Sequence, residues 1–410
     1  MRWWGPLGLL AAIRVAIPLA AYAHAGSALP GMPAFVRSGH DGGLTGDATG
    51  FYAATREFMA AWGRMPRALL ALDALFALGA AVAIVVLWRR RPELRPWLAA
   101  AALCVFGLVV AVDVHWMKPS GAAVFGWPLV WALPMTAYRA LGHGLSKHVA
   151  WDFGVALSLA AVAATVVAVG YLGRHATGRR SLGLLAAALW TAWPLLVALI
   201  AGHSAWRNGQ WEVDVGLHNY DEPLSTLFVT TGAALLVSRP LTQLRLALGG
   251  CALSAATLVK VSNGLLAAAA LVLVFLRGRV RDGAPFLAGA LSLAPLAAVY
   301  WPLSYPKLFD NPQSWPKDPF DPAHVVASWT HSSIFDPHTL AIVVPLAVVG
   351  AFGVRRPWAV ALVVAFLLIN PVFYSFYANT AQHPRFLYAS LPELFTLWAA
   401  GVGVLASIRR

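Results

Sequence analysis

The sequence predicts an all-α polytopic membrane protein, and three observations carry that prediction. Hydrophobic residues make up 59% of the 410 positions and charged residues only 11%, whereas a soluble core of this size needs a far more charged shell. The apolar residues fall into about twelve runs, each long enough or nearly long enough to cross a bilayer as a helix. The 30 lysines and arginines punctuate the ends of those runs and form no basic domain. The net charge of +13 therefore reads as a topology signal and not as a nucleic-acid footprint.

The first run, Leu7–Tyr22, follows Arg2 and precedes the small-residue stretch AHAGSA. A first span and a secretory signal peptide share that pattern, and the many spans behind it favour the span. Ala68–Trp88, Trp97–Val112, Phe153–Leu172 and Leu182–Ala201 follow, then Leu224–Val237, Leu241–Val259, Leu265–Leu276 and Pro285–Leu303. Leu340–Gly353, Trp358–Phe376 and Phe386–Ala406 complete the set, with soft boundaries where a run falls short of about 20 residues. The stretch Ala122–Tyr138 is apolar yet carries Pro128 and Pro134. Counting it as a full span inverts everything behind it, so it reads as re-entrant or interfacial, with a hairpin of two half-spans as the alternative.

With the N-terminus in the cytoplasm, WRRRPELR, GRHATGRR, the Arg239–Arg245 link, RGRVRD, Arg355–Arg356 and Arg409–Arg410 all fall on the cytoplasmic side. The outer side receives the long loops 23–67, 202–222 and 304–338. It also receives every histidine but His175 and every acid but Glu93 and Asp282. One face is a topological collar and the other carries the chemistry. The expectation is one integral domain over residues 1–410, both termini cytoplasmic, in a plasma membrane that the Ala, Gly, Arg and Pro richness marks as bacterial. Cys104 and Cys251 sit inside apolar runs and signal neither a disulfide framework nor a zinc site.

The first outer loop is the most informative. After Asp47, the residues Phe51, Thr55, Phe58, Met59 and Trp62 fall on one face at helical spacing. That pattern predicts a short amphipathic helix on the outer membrane surface, with Arg56 and Glu57 facing away from lipid and Asp47 at its start. On pattern alone Asp47 is a good N-cap, and capping is compatible with catalysis. In the loop Gly202–Glu222, Trp206, Trp211 and Tyr220 alternate with amides and carboxylates, as sugar recognition and interfacial belts both require. Asp214 and His218 stand at i,i+4, a spacing that ligates a metal only with further ligands that the sequence does not supply. Lys260 in LVKVSN and Arg385 in HPRFLY are cations at span edges, each readable as a lipid-phosphate ligand or as a side chain snorkelling to the headgroups. The Pro- and Asp-rich loop Tyr305–His338 reads as a cap over the outer face.

An acid after the first span, then a tyrosine and an Arg-Glu pair, resembles the first-loop signature of GT-C glycosyltransferases. The lipid-phosphosugar-dependent members, protein O-mannosyltransferases and aminoarabinose transferases, carry an Asp-Glu-x-x-Tyr-x-x-x-x-Arg-Glu type run. Asp47, Tyr52, Arg56 and Glu57 stand here in similar order, with Ala48 where those relatives often carry a second acid. HNYDEPLSTLF (His218–Phe228) and HPRFLYASLPELFTL (His383–Leu397) are similar to two later segments of such enzymes. The resemblance implies inverting transfer of a sugar from a polyprenyl-phosphate donor to an acceptor hydroxyl on a glycan, lipid or protein. It assigns Asp47 as the base and Arg385, His383 and Lys260 to the donor phosphate. Tyr52, Arg56, Glu57, His218, Tyr220 and Glu222 become substrate contacts. The chemistry calls for no metal or other cofactor, because the lipid-phosphate sugar is itself the co-substrate. A multi-span transporter or lipid-linked-saccharide flippase is the competing class, and a structural scaffold a distant third.

Overall fold

Each apolar run forms helix. The computed structural model describes residues 3–24, 47–117, 126–201, 221–278, 280–299, 337–354, 356–375 and 388–408. These are predominantly helical, with no strand among them. In chain order the helices are α1 (Trp4–His24), α2 (Asp47–Arg64), α3 (Arg67–Arg90), α4 (Arg95–Met117), α5 (Gly126–Ala140), α6 (Lys147–Thr177) and α7 (Arg180–Ala201). They continue as α8 (Glu222–Val237), α9 (Gln243–Val259), α10 (Gly264–Arg277), α11 (Val280–Ala290), α12 (Pro337–Gly353), α13 (Pro357–Ser375) and α14 (Leu391–Ile408).

Among the described residues, five helical stretches are long and apolar enough to cross a membrane: Arg67–Arg90, Pro92–Trp116, Val149–Thr177, Pro357–Tyr374 and Tyr388–Ile408. Five shorter apolar helices join them, within α1, α8, α9, α12 and the segment Val261–Arg277. Helix α3 makes the membrane character plain, because it buries no residue and leaves Leu72, Leu75 and Phe76 exposed. A helix apolar all round and uncovered by protein belongs in lipid.

Local signals fix several boundaries. The Ser146 side chain accepts from the Val149 N–H at 3.2 Å and opens α6, and Gly178 at φ 75° closes it. Thr242 opens α9 in the same way through the Arg245 N–H. The run Pro285–Leu303 is not continuous: α11 ends at Ala290, a turn occupies 291–293, and helix resumes at 294–299. Pro295 cannot donate to the preceding turn. Ser292 instead donates to the Gly289 carbonyl at 2.6 Å, while Ser254 accepts from the Leu293 N–H.

Two apolar clusters hold the bundle together. The larger packs α14 against α6, α7, α12 and α13 around Trp190, Trp193, Phe366 and Phe395. Helices α12 and α14 approach so closely that a Cβ on Gly350 meets the Leu397 carbonyl and one on Gly401 meets that of Leu346. The smaller cluster packs α2 and α5 onto α4, α6 and α9 through Phe51, Phe58, Trp127 and Trp131.

The amphipathic helix is α2, and its buried face contains the predicted Phe51, Thr55, Phe58 and Met59, with Trp62 partly buried. That face meets protein, which corrects the expectation of a lipid-facing surface helix. Thr55 Oγ1 reaches the Pro128 carbonyl of α5 at 3.3 Å, and Trp62 Nε1 donates to Asp113 Oδ2 of α4 at 2.9 Å. The stretch Ala122–Tyr138 contributes one helix, α5, so the two-half-span hairpin is not formed. Gly126 packs against Val259 at the end of α9, Trp131 donates to the Ala150 carbonyl, and Tyr138 stacks edge-on with Phe153. Both ends of α5 therefore touch one end of the bundle, and the helix lies across it.

The bundle has two chemically distinct poles. Arg174 and His175 end α6, Arg239 and Arg245 flank the start of α9, Arg277 ends α10 and Arg356 precedes α13. These gather at one pole, where Arg356 Nη2 donates to the carbonyls of Val237 and His175 and Arg277 lies over Trp358. Asp152, Asp221, Glu222 and Lys260 stand at the opposite ends of α6, α8 and α9. The 17 residues of α9 separate the poles by about 25 Å.

Candidate functional site

At the pole opposite the arginines, α9 and α10 form a hairpin whose turn carries Lys260. The Lys260 backbone is extended, and its N–H caps α9 on the Ala256 carbonyl at 2.8 Å. Residues Val261–Asn263 then make one 3-10 turn before Gly264 opens α10. Non-helical backbone at this depth is tolerated because protein surrounds it: Ser262 and Asn263 are buried.

Lys260 Nζ lies 3.0 Å from Glu222 Oε1, with the two side chains 13% and 3% exposed. The ammonium also sits 5.4 Å from the centre of the Tyr374 ring. Glu222 is the first residue of α8, where free backbone N–H groups favour a carboxylate. Buried Asp221, immediately before it, is a second negative charge within reach of Lys260. Lys260 thus turns inward to a carboxylate, and the snorkelling alternative does not hold.

A hydrogen-bonded net fixes the turn from three sides. Asn263 Nδ2 donates to Ser225 Oγ of α8 at 2.8 Å and to the Ala256 carbonyl at 3.0 Å. Asn370 Nδ2 of α13 donates to Asn263 Oδ1 at 3.4 Å, and the Ser262 and Tyr374 hydroxyls lie 2.8 Å apart. A net of this kind holds side chains in one geometry, with Asn370 Oδ1 the acceptor in it that no described group meets.

An apolar groove of about 510 Å³ runs from this turn along α9 and α10. Thr257, Leu258 and Gly264, which flank Lys260 in sequence, line one end, and Ala267, Leu271 and Leu287 line its length. Lys260 and Glu222 are not among its lining residues, and the charged cluster adjoins the groove through the sequence neighbours of Lys260.

No protein-family model matches the chain, and no curated protein is similar to it. The functional reading therefore rests on the site itself.

Helix α2 adjoins the same pole. Tyr52 is buried with its ring 6.0 Å from that of Trp131, and it shares an apolar cluster with Leu224, Leu258 and Val259. Arg56 is exposed, its guanidinium 5.9 Å from the centre of the Tyr52 ring, and Glu57 is half-buried. Asp47 is the first residue of α2, and its side chain lies outside the described residues. His218, Tyr220, His383 and Arg385 also lie outside them, as do Asp214 and the loop 305–336. Of the residues singled out from sequence, the structure brings Lys260 and Glu222 into contact and packs Tyr52 beside their helices. Among the described residues no three His, Cys, Asp or Glu side chains gather to hold a metal ion.

Tyr374, Ser262, Asn263, Asn370 and Ser225 are absent from the sequence reading. Ser262 and Asn263 directly follow Lys260, and Asn370 is a lone amide inside an apolar run; those were the available signals. A second buried polar group lies deeper. Arg14, halfway along α1 and fully buried, donates to the Tyr388 hydroxyl at 3.0 Å and lies over Trp190. Glu393, in the first turn of α14, is fully buried as well.

Proposed function

We propose that the chain is a membrane glycosyltransferase of GT-C type that takes its sugar from a polyprenyl-phosphate donor. The observation that carries the proposal is the buried ion pair of Lys260 with Glu222, next in sequence to the residues that line one end of an apolar groove. In this reading the polyprenyl tail lies in the groove and Lys260 meets the phosphate, with Arg385 and His383 as further cations. About twelve crossings leave both termini in the cytoplasm, and the pole with Lys260 faces outward. The gathering of the arginines at the other pole supports that orientation.

The transfer needs few groups. The acceptor oxygen attacks the anomeric carbon as the bond from that carbon to the phosphate oxygen breaks, inverting the centre. Asp47 takes the hydroxyl proton, and polyprenyl phosphate leaves as an anion stabilised by cations. Asp47 is the first residue of α2, which packs through Tyr52 beside the helices of Glu222 and Lys260, in keeping with this role. Tyr52, Arg56, Glu57, His218, Tyr220 and Glu222 surround the sugar and acceptor.

One observation favours a second reading, a transporter or lipid-linked-saccharide flippase: Arg14 is fully buried halfway along an apolar helix, as a charge on a transport path would be. Membranes containing the protein or its Asp47→Asn variant, given radiolabelled polyprenyl-phosphate sugars, separate the two. Transfer should fall roughly 10²- to 10⁴-fold in the variant. Undiminished transfer removes Asp47 from the mechanism, and movement of label across the bilayer without transfer favours the flippase.

A further inference from the structure

The arginine pole is more than a row of topology signals. Arg174, Arg245, Arg356 and Arg239 all lie close enough to act on His175, and Arg356 also feels Arg277. Among the described residues none of these five arginines has an acidic partner, because the ion pairs there are Arg91 with Glu93 and Lys260 with Glu222. Among the described residues, protein groups hold the cations together without neutralising them. Arg356 Nη2 donates to the Val237 and His175 carbonyls, the latter at 3.3 Å, and the Arg239 N–H donates to His175 Nδ1 at 3.4 Å. Arg174 and Arg277 lie over the rings of Trp3 and Trp358, each at 5.4 Å. Like charges fixed at such range repel unless an anion sits among them.

A groove leads to this patch. It measures about 440 Å³ and runs between α6 and α8 from Ala164 and Leu227 to a mouth at His175, Ser238 and Arg245. Its walls are apolar, and along α6 from Ala164 to His175 it extends roughly 16 Å, the reach of a fatty-acyl tail. Cation clusters between membrane helices beside such clefts are the setting in which anionic lipid headgroups are held.

We propose that this pole binds an anionic phospholipid, its phosphate among Arg239, Arg245 and Arg356 and one acyl tail in the α6–α8 groove. Charge and groove both select this occupant: a zwitterionic lipid leaves the cations unneutralised, and a free anion leaves the groove empty. The site is separate from sugar transfer, since Arg245 and Lys260 lie about 22 Å apart along α9.

The test uses the full-length protein, delipidated in detergent and titrated with phosphatidylglycerol or phosphatidylcholine, with thermal midpoint and bound lipid in native mass spectra as readouts. Phosphatidylglycerol should bind at least roughly tenfold more tightly and raise the midpoint. Arg239→Gln with Arg245→Gln, both at exposed or half-exposed positions, should abolish the preference, whereas Arg356 is left intact because it ties three helices. Ala168→Leu with Thr231→Leu fills the groove and should weaken retention even where the arginine variant fails to fold. Glycerol 3-phosphate should not compete. Equal binding of the two lipids, an undiminished preference in the arginine variant, undiminished retention in the groove variant, or full competition by glycerol 3-phosphate would each overturn the proposal.

Discussion

Lys260 Nζ and Glu222 Oε1 lie 3.0 Å apart where the α9–α10 turn meets the start of α8, and the two charges behave as one unit. Each has lost most of its water, so each depends on the other. Lys260→Met removes the cation beside a buried carboxylate and should cost about 3–5 kcal/mol. The double variant Lys260→Met with Glu222→Met should recover much of that loss. Thermal unfolding of the four proteins in detergent gives the coupling directly, and additive losses would show the pair is not coupled.

The close approach of α12 and α14 makes a second prediction. Gly401→Val places side-chain atoms on the Leu346 carbonyl and should force the helices apart, with a loss of at least about 2 kcal/mol. Gly79→Ala, on α3 with nothing within 4 Å, should be neutral or stabilising by up to about 1 kcal/mol. Thermal midpoints that fall equally for both would refute this packing.

Trp62 anchors α2 to α4 through its indole hydrogen bond to Asp113. Trp62→Phe keeps most of the ring and deletes the donor, leaving a buried carboxylate oxygen without that bond at a cost of about 1–3 kcal/mol. The end of α2 should loosen, so that trypsin cuts sooner at exposed Arg64 and Arg67. An unchanged digestion rate would mean that the apolar face alone holds the helix.

The two poles predict opposite accessibility at the ends of α6, a helix of 31 residues. In a protein carrying Cys104→Ala and Cys251→Ala, Lys147→Cys should react with an impermeant maleimide from one side of sealed vesicles. Arg179→Cys should react only from the other. Labelling of both from one side would contradict a membrane-crossing α6.

Much of the fold was legible because a membrane helix announces itself by composition, and each apolar run became helix. Sequence placed the phenylalanines and Trp62 of α2 on one face correctly, yet misassigned their surroundings. Periodicity reveals an apolar face and not whether lipid or α5 covers it. The break at 291–293 was hidden because Pro295 sits in an unbroken apolar run, and its effect depends on Ser254 from another helix. Lys260 and Glu222 were each visible as charges at span ends. Their contact joins residues 38 apart, and Tyr374 and Asn370 join from more than 100 residues away; both arise from tertiary packing and leave no local pattern.

The most direct measurement of the central claim is sugar transfer by purified protein in liposomes, using labelled polyprenyl-phosphate sugars and comparing the native chain with Lys260→Gln. The account predicts release of polyprenyl phosphate by the native protein and a loss of roughly 10²- to 10³-fold in a variant that remains folded. Release unaffected by Lys260→Gln, or none from the native chain with any such donor and added cell-envelope acceptors, would contradict it.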